Sequence, residues 1–310
     1  MSFKKKIKKL LPKRIIYLYL ILGKLPKYIK SFFTPSKKIL IRMMSNEEMI
    51  EQIITKRMSL SRFGDGELMW MNGEKLNSFQ EYSDKFSLDL VKAFKTKNEN
   101  LLIGLPIGII DSRGCNVYAK MHWRIVRNGF VNRLSKFIDD SRVYCNASIT
   151  RPYIDYKDKN YSIKCFNLLK KIWNQRDVVI VEGSMTKLGM GNDLFDGCKR
   201  IRRIICPPSN AYEKIEQIIE SIKKHVSFDE LVLCALGPTA SIIASQLCSE
   251  GYQIIDIGHV DIEYLWFKMG AIIREPIEGK YVNESGEKNC SNIYDNDSVY
   301  LESIIDVIRG

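Results

Sequence analysis

The sequence predicts an α/β fold with a mainly parallel sheet and flanking helices, of the Rossmann-like kind. Short apolar runs alternate with longer amphipathic stretches from about residue 59 onward, and this alternation is typical of βαβ units. Polar, glycine-rich loops follow most of the apolar runs. In a parallel sheet such loops meet beyond the carboxyl ends of the strands, so they predict one composite site.

The strands and helices can be placed approximately from these runs. A helix is expected to begin after Ser45 and to extend to about residue 57, because Ser45-x-x-Glu48 forms a capping-box pattern. The other predicted helices are residues 87–97, 115–128, 161–174, 211–224 and 240–250. The predicted strands are residues 59–63, 101–105, 142–145, 178–181, 203–206, 231–235 and 253–257.

Charge divides the chain into a basic arm and a nearly neutral body. The 310 residues have a formal net charge of +12, but residues 1–45 contain 13 lysines and arginines and no acidic residue. The rest of the chain therefore has a net charge of about −1. Because nucleic-acid enzymes usually distribute positive charge over the folded body, this pattern predicts no nucleic-acid partner. A nucleic-acid binder acting through the arm is a weaker alternative.

The eight cysteines form no CxxC pair, and most of them lie in apolar runs. Structural zinc sites need paired ligands at short spacing, and secreted disulfide frameworks are usually found in shorter chains. The pattern therefore predicts reduced, mostly buried thiols in a cytoplasmic protein.

The basic arm is predicted to lie on a membrane surface. Its longest uncharged stretch, from Ile15 to Gly23, is far shorter than the roughly 20 apolar residues that span a bilayer. A signal peptide is disfavoured because basic residues resume at Lys24 and Lys27 and no cleavage site follows. Apolar and aromatic residues interleaved with lysine favour an amphipathic helix on anionic lipid, at the inner face of the cell membrane. A solvated basic tail is the alternative.

The first candidate site is the segment Arg62-Phe63-Gly64-Asp65-Gly66-Glu67, which follows a predicted strand. Two carboxylates separated by one glycine can face the same way from an extended turn, and Gly64 and Gly66 permit close approach of a ligand. Carboxylate oxygens suit Mn²⁺ or Mg²⁺, which would share them with substrate phosphates. Arg62 could add a cation for phosphate. A polar turn that caps a helix is the alternative.

The second candidate site follows the predicted strand 178–181, and glycines and polar residues dominate it. Its backbone amides could hold phosphates, and its side chains could contact diphosphate, ribose or base. The candidate donor-binding residues are Glu182, Lys187, Gly189, Gly191, Asn192 and Asp193. An NAD-binding loop is disfavoured because Leu194 stands where a third glycine is required. A tight turn that needs glycine for its shape is the other interpretation.

The third candidate site is Gly258-His259-Val260-Asp261-Ile262-Glu263, near the end of the body. Asp261 and Glu263 would share a face if the segment were extended, whereas at a helix start they would only complement the helix dipole. Transfer to a hydroxyl group needs a base, so Asp261 is the first candidate, Glu263 the second, and His259 could assist.

Five motifs in order resemble the GT-D-type glycosyltransferases, a family long catalogued as a domain of unknown function. They are SRFGDGE, GMGNDLF, LGPTA, GYQIIDIGHVDIEY and KYVNE, and they extend from about residue 49 to residue 284. The resemblance implies a Rossmann-like fold distinct from the GT-A and GT-B folds. It also implies a UDP-sugar donor and a divalent cation bound by Asp65 and Glu67. Two positions depart from the family pattern. The family has an acidic residue near the position of Ser184, and it often has arginine at the position of Lys187.

The residues and the resemblance together predict a metal-dependent glycosyltransferase. It would move a hexose such as glucose from a UDP-sugar to a glycan, lipid-linked or glycoprotein acceptor in cell-surface polysaccharide or glycoprotein synthesis. A non-catalytic module that binds nucleotides or glycan precursors is the alternative. The predicted division is a basic arm at residues 1–45, a transferase domain at 46–284 and a C-terminal extension at 285–310.

Overall fold

The structure is a computed structural model that describes residues 11–35, 37, 39–76, 78–282 and 293–310. Within these residues, nine strands form one sheet in which every strand pair is parallel. The strands are β1 (Arg42–Met43), β2 (Ser59–Arg62), β3 (Leu101–Leu105), β4 (Val143–Asn146), β5 (Asp177–Gly183), β6 (Arg200–Cys206), β7 (Leu231–Ala235), β8 (Gln253–Asp256) and β9 (Ile304–Val307).

Helices connect the strands and cover both faces of the sheet. They are α1 (Lys13–Ser31), α2 (Asn46–Thr55), α3 (Asp65–Met71), α4 (Asp84–Lys95), α5 (Ile107–Ile110), α6 (Val117–Leu134), α7 (Lys159–Trp173), α8 (Ile215–His225), α9 (Pro238–Leu247), α10 (Val260–Lys268) and α11 (Ser298–Glu302). The predicted α/β fold with a parallel sheet is therefore confirmed.

The strand order places the functional loops together. The order is β1-β4-β3-β2-β8-β7-β5-β6-β9, so β2 and β8 are neighbours. The chain leaves β2 toward β3 on one side and leaves β8 toward β9 on the other. Loops diverge above such a pair, and the crevice between them is where ligands of open α/β sheets bind.

Successive residues of the central strands enter two separate cores. In β7, Val232 and Cys234 pack with α4, α8 and α9, whereas Leu231 and Leu233 pack with α2, α7 and α10. This arrangement follows from the alternation of side chains along a strand. Because both faces are covered, the strands are apolar without interruption, which is the pattern that identified them in the sequence.

The predicted strand at 101–105 coincides with β3, and that at 231–235 coincides with β7. Ser45 is the N-cap of α2, and its hydroxyl accepts a hydrogen bond from the Glu48 amide at 3.1 Å. Two strands, β1 and β9, and three helices, α3, α5 and α11, were not predicted. The strands β1 and β9 lie at the two edges of the sheet, and α3 replaces the extended turn expected after β2.

The basic arm begins the folded structure as α1, which packs along α6. The Tyr17 hydroxyl accepts a hydrogen bond from the Tyr118 backbone amide at 3.3 Å. The Asn128 side-chain amide donates to the Thr34 carbonyl at 2.6 Å. The predicted boundary at residue 45 differs from the structure, since β1 lies inside the arm and pairs with β4. Similarly, β9 lies in the predicted C-terminal extension and pairs with β6.

No helix in the described part of the chain combines the length and apolar character needed to cross a bilayer. The seven described cysteines are free, and six of them are buried. Cys290 and the last two residues of the KYVNE motif lie outside the described residues.

Candidate functional site

A cavity of about 430 Å³ opens at the carboxyl ends of the strands. Its floor is the pair β2 and β8, where the chain directions diverge. Arg62, Asp65, Glu67, Asp256 and His259 line this central part. The predicted composite site therefore coincides with the crevice that the topology creates.

Arg62 is the last residue of β2, and its guanidinium joins three elements. Its Nη2 lies 2.6 Å from the Asp256 carboxylate at the end of β8, and its Nε donates to the Asp256 carbonyl at 2.8 Å. Its Nη1 donates to the Thr150 hydroxyl at 2.8 Å and to the Ala147 carbonyl at 3.3 Å. Arg62 lines the cavity, but most of its donors are committed to the protein, so it holds the floor of the cavity together.

A glycine opposite Arg62 makes this packing possible. Gly258 has φ +50°, and a Cβ at that position would lie 2.0 Å from Arg62 Nη2. Any side chain there would displace the guanidinium. Because Gly258 has no side chain, Arg62 can pack closely against the loop after β8.

Asp65 and Glu67 lie in the first turn of α3, and both line the cavity. Asp65 is exposed, whereas Glu67 is partly buried and accepts a hydrogen bond from the Gly64 amide at 2.8 Å. One oxygen of Glu67 therefore caps the helix, as the alternative interpretation expected. The other carboxylate oxygen remains for a ligand. Burial raises the pKa of Glu67 to about 7, and the charges of Asp256 and Asp65 add to that rise.

The two carboxylates fit a divalent cation that completes its shell with phosphate oxygens and water. Mg²⁺ in particular is usually held by one or two protein carboxylates together with substrate phosphates. No cluster of three or more His, Cys, Asp or Glu side chains suited to a metal occurs in the part of the chain that the structure describes. A cation held by Asp65 and Glu67 would take further ligands from the substrate and from water.

Comparison with known proteins identifies the family. The model of the glycosyltransferase GT-D fold family matches residues 60–285. This chain belongs to the GT-D family. The resemblance inferred from the motifs is thereby confirmed, and the sheet and cavity described above are those of a GT-D chain.

Two curated relatives come from streptococci. The chain is 35% identical over 248 residues to glycosyltransferase GlyD of Streptococcus pneumoniae serotype 4, and 36% identical over 247 residues to a probable glycosyl transferase Gly of Streptococcus gordonii. Each match covers 79% of this chain but only 30% and 36% of the relatives. The chain therefore spans about a third of the length of the curated relatives that it matches.

Solved structures of the same family superpose over most of the chain. A protein described as a new glycosyltransferase from Streptococcus sanguinis has a TM-score of 0.81 and 32% identity, and the match covers 87% of this chain and all of that one. A second, described as a highly conserved domain of unknown function with a distinct glycosyltransferase fold, has a TM-score of 0.79 and 30% identity over 92% of this chain and all of that one.

Asp261, the first candidate base, anchors a loop. Its carboxylate accepts hydrogen bonds from the Gly189 amide at 3.0 Å and the Asn192 side chain at 2.7 Å. It also forms a buried ion pair with Lys280. Asp261 touches the cavity wall but is only 1% exposed. The structure thus joins residues from the second and third candidate sites, but through contacts that fix the backbone.

Glu263, the second candidate base, does not line the cavity, so this prediction is wrong. It is fully buried, and one oxygen accepts from the amides of Tyr153 and Ile154 at 3.0 and 2.9 Å. The other oxygen lies 3.8 Å from Arg151. Burial raises the pKa of Glu263 to about 7, and Arg151 opposes that rise. Of the three predicted catalytic residues, His259 keeps a partly exposed position on the cavity wall.

Glu182 is also structural rather than donor-binding. It is fully buried, pairs with Arg203 at 2.6 Å and accepts a hydrogen bond from the Leu188 amide at 2.6 Å. Arg203 in turn donates to the Leu188 carbonyl at 2.9 Å. Burial raises the pKa of Glu182, and Arg203 counteracts this. The pair holds the start of the loop between β5 and β6.

Thr186 and Leu188 of that loop line the cavity, but the candidate donor-binding residues Lys187, Gly189, Gly191, Asn192 and Asp193 do not. Lys187 pairs with Asp295 at 2.9 Å, and Asp193 pairs with Lys268 at 3.1 Å. Gly189 and Gly191 have φ +80° and +74°, and Cβ atoms there would collide with Phe195 and Tyr294. These glycines are therefore required by tight packing within the protein, as the alternative interpretation expected.

Several cavity residues were not predicted. Asp256 ends β8, and in the sequence it is the acidic residue next to the end of the predicted strand 253–257. Asp155 and Arg274, which pair at 2.7 Å, come from loops after β4 and α10. His122 lies on α6. Only Asp256 had a usable signal, because polar residues at strand carboxyl ends reach the crevice.

Replacing Arg62 with glutamine is expected to lower the free energy of unfolding by about 3–5 kcal/mol, because Asp256 would remain buried without its cation. Urea unfolding of the variant and of Arg113→Gln, an exposed arginine paired with Asp111, measures this. Arg113→Gln should stay within about 1 kcal/mol of the parent chain. If Arg62→Gln is equally stable but binds nucleotide more weakly, Arg62 is a phosphate ligand and not a clamp.

Glu263 is expected to make stability fall as the pH rises from 4.5, the usual pKa of the group, to about 7. In that range the folded state retains a proton that the unfolded chain has lost. The raised pKa corresponds to a change on the order of 3 kcal/mol. Urea unfolding between pH 5 and 8 should show a shallower decline for Glu263→Gln than for the exposed control Glu51→Gln. Parallel profiles for the two variants would contradict the linkage.

Proposed function

We propose that the chain is a metal-dependent glycosyltransferase that moves a sugar from a UDP-sugar to a glycan or glycoconjugate acceptor. The observation that carries the proposal is the presence of Asp65 and Glu67 on one cavity wall at the topological switch of a GT-D sheet. The streptococcal relatives support the reaction class, since both are named as glycosyltransferases. The divalent metal is inferred from the carboxylates that line the cavity, and the UDP-sugar donor and glycan acceptor from the resemblance to the family.

Asp65 and Glu67 would hold Mn²⁺ or Mg²⁺ in this proposal. When bound, such a cation neutralises charge on a diphosphate leaving group. Asp65 is exposed at the helix start, and Glu67 keeps one oxygen away from its capping bond. The remaining ligands of the metal would come from the donor and from water, which agrees with a site of only two protein carboxylates.

The nucleoside of the donor fits the side of the cavity formed by β5, β6 and β7. This side, which we name the uncharged side, is lined mainly by small, apolar, hydroxyl and amide residues, and the carboxylate nearest to it, Asp261, is paired with Lys280. Its walls include Gly183, Thr186, Ser209, Asn210 and Gly237. A neutral base and ribose need hydroxyl, amide and backbone partners within an otherwise apolar slot. The diphosphate would then reach the central carboxylates of α3.

The acceptor hydroxyl must lose a proton when it attacks the sugar carbon and the UDP departs. Asp261 and Glu263 are almost fully buried, whereas His259 is partly exposed and lines the cavity at the N-cap of α10. We therefore assign the acceptor proton to His259. This assignment rests on position, since a base must reach the proton that it takes.

The chain is also proposed to bind the inner face of the cell membrane through α1. One face of α1 packs on α6, and the opposite face exposes an apolar stripe at alternating spacings of three and four residues. Each side chain in the stripe is between 42% and 56% exposed. The stripe consists of Ile15, Leu18, Leu22, Leu25, Ile29 and Phe32. This wide apolar face, which we call the α1 stripe, suits the headgroup boundary of a bilayer.

The charge of α1 favours anionic lipid over a second copy of the chain. The helix has no acidic residue, while Arg14, Lys27 and Lys30 are exposed around the stripe. Two copies that met through this face would bring like charges together. An anionic headgroup layer instead attracts each exposed cation by about 1 kcal/mol.

The combined variant Asp65→Asn with Glu67→Gln is expected to lose at least 100-fold of UDP-sugar turnover, because removing one charge stabiliser already costs roughly that factor. Release of UDP from a panel of UDP-hexoses with Mn²⁺ measures the activity, and UDP titration with and without Mn²⁺ measures binding. Glu51→Gln on α2 is the matched control and should behave as the parent chain.

Unchanged turnover in the double variant would remove the metal role of this carboxylate pair. A parent chain that binds UDP but turns over no UDP-hexose with any offered glycan would support the alternative of a non-catalytic binding module. The two outcomes are distinct, since only the first leaves the enzyme active.

Replacing Leu18, Leu22 and Leu25 with glutamine is expected to reduce binding to vesicles of phosphatidylglycerol at least tenfold, because the α1 stripe loses its apolar area. Co-sedimentation of the full chain with phosphatidylglycerol and phosphatidylcholine vesicles measures this. Leu88→Gln with Val299→Gln, two exposed apolar sites elsewhere, is the control and should bind as the parent chain. Equal binding of both variants, or a parent dimer that the stripe variant abolishes, would overturn the lipid assignment.

A further inference from the structure

Charge is segregated across the cavity. The uncharged side, at β5, β6 and β7, contrasts with the opposite side, which is formed by the loops after β3 and β4 and by α6. That opposite side, which we name the charged side, carries Arg151, Asp155, Arg274 and His122. The carboxylates of α3 lie between the two. A nucleotide donor does not need this second set of ionic groups if its nucleoside occupies the uncharged side.

Arg274 is the central cation of the charged side. Its Nη2 lies 2.7 Å from Asp155, and its side chain is 26% exposed. Its Nε is buried and has no hydrogen-bond partner among the described residues. Arg151 also lines the cavity, near the buried Glu263. Guanidinium groups donate in a planar fork that matches phosphate oxygens, so two of them on one wall suit a phosphate-bearing group.

His122 adds a neutral donor beside the arginines. The ammonium of Lys24 on α1 lies 3.4 Å from His122 Nδ1, which can accept from it only when that nitrogen carries no proton. Burial lowers the pKa of His122, and Lys24 lowers it further. In this geometry the contact with Lys24 therefore places the ring proton on Nε2. Such a ring donates one hydrogen bond and adds no charge.

The charged side adjoins the helix that carries the α1 stripe. Lys24 connects the middle of α1 to His122, and Lys13 pairs at 2.7 Å with Glu275, the neighbour of Arg274. A group held at a lipid surface by its own tail would reach the charged side before any other part of the cavity. The position of this wall thus matches an acceptor presented from the membrane.

We propose that the charged side binds a phosphate or diphosphate group of the acceptor, with Arg274 and Arg151 as its ligands. The proposal rests on the proposed glycosyl transfer and specifies the class of its acceptor. The same chemistry occurs in an isoprenyl diphosphate anchor and in a phosphorylated glycan without a lipid. In both cases the acceptor anion lies opposite the uncharged side, and the acceptor hydroxyl points to the carboxylates of α3.

The test uses the full chain saturated with UDP and Mn²⁺, titrated calorimetrically with geranyl diphosphate and with inorganic diphosphate. Arg274→Gln is expected to weaken binding of both probes at least tenfold, and Arg274→Lys to weaken it less, since charge remains but the fork is lost. The control Arg113→Gln should leave both affinities unchanged. Tighter binding of geranyl diphosphate than of diphosphate indicates a lipid-linked acceptor, and equal binding indicates a phosphorylated glycan.

The variant Asp155→Asn distinguishes loss of a ligand from misfolding, because it is expected to bind diphosphate more tightly and a misfolded chain would bind it more weakly. It removes the carboxylate that competes for Arg274, so binding of diphosphate should become several-fold tighter. Unchanged affinity in both Arg274→Gln and Asp155→Asn, or displacement of UDP by the probes, would overturn the acceptor assignment. A parent chain that binds no UDP would instead refute the proposed function itself.

Discussion

The buried ion pair between Arg62 and Asp256 is the interaction on which the cavity depends. It joins the carboxyl ends of β2 and β8, the two strands from which the chain diverges. Asp256 is 3% exposed, and burial raises its pKa while Arg62 opposes that rise. Such a pair is costly to desolvate, and it persists only when hydrogen bonds satisfy both partners. Thr150 and the carbonyl of Ala147 supply those bonds to the guanidinium, so the loop after β4 is fixed by the same residue.

The fold was largely predictable because the sheet is parallel and covered on both faces. Strands such as β3 and β7 then become uninterrupted apolar runs, and their boundaries follow from hydrophobicity alone. The edge strands β1 and β9 lacked this signal, because each has one neighbour and partly exposed residues. The helix α3 was missed for another reason. Glycines on both sides of Asp65 suggested an extended turn, but the Glu67 side chain supplies the cap that starts a helix.

The candidate site was predicted as a location, but not residue by residue. Polar and glycine-rich loops after the strands led to the right edge of the sheet. The sequence could not separate acids that face the cavity, such as Asp65, from acids that are buried against backbone amides, such as Glu263. Both kinds lie in the first turn of a helix that follows a strand. Their difference depends on long-range partners, including Lys280 for Asp261 and Arg203 for Glu182, which no local pattern encodes.

Buried acids account for the rigidity that a transferase cavity needs. Asp261 holds the loop after β5 against α10, and Glu182 holds the start of the same loop against β6. With these anchors in place, the exposed carboxylate of Asp65 stands on a fixed frame. In the proposed function the metal and donor would bind to this frame, whose protein side is formed before the ligand arrives.

The helix α1 relates the position of the cavity to the surface that the α1 stripe is proposed to bind. A disordered basic tail would place no constraint on the cavity, but α1 packs on α6 and its Lys24 touches His122 in the cavity wall. The apolar stripe of α1 points away from that contact. The fold therefore fixes how the cavity opening is oriented relative to any surface that binds the α1 stripe. An acceptor carried on the same surface would approach from the α1 side, where the arginines lie, and the donor would keep the uncharged side.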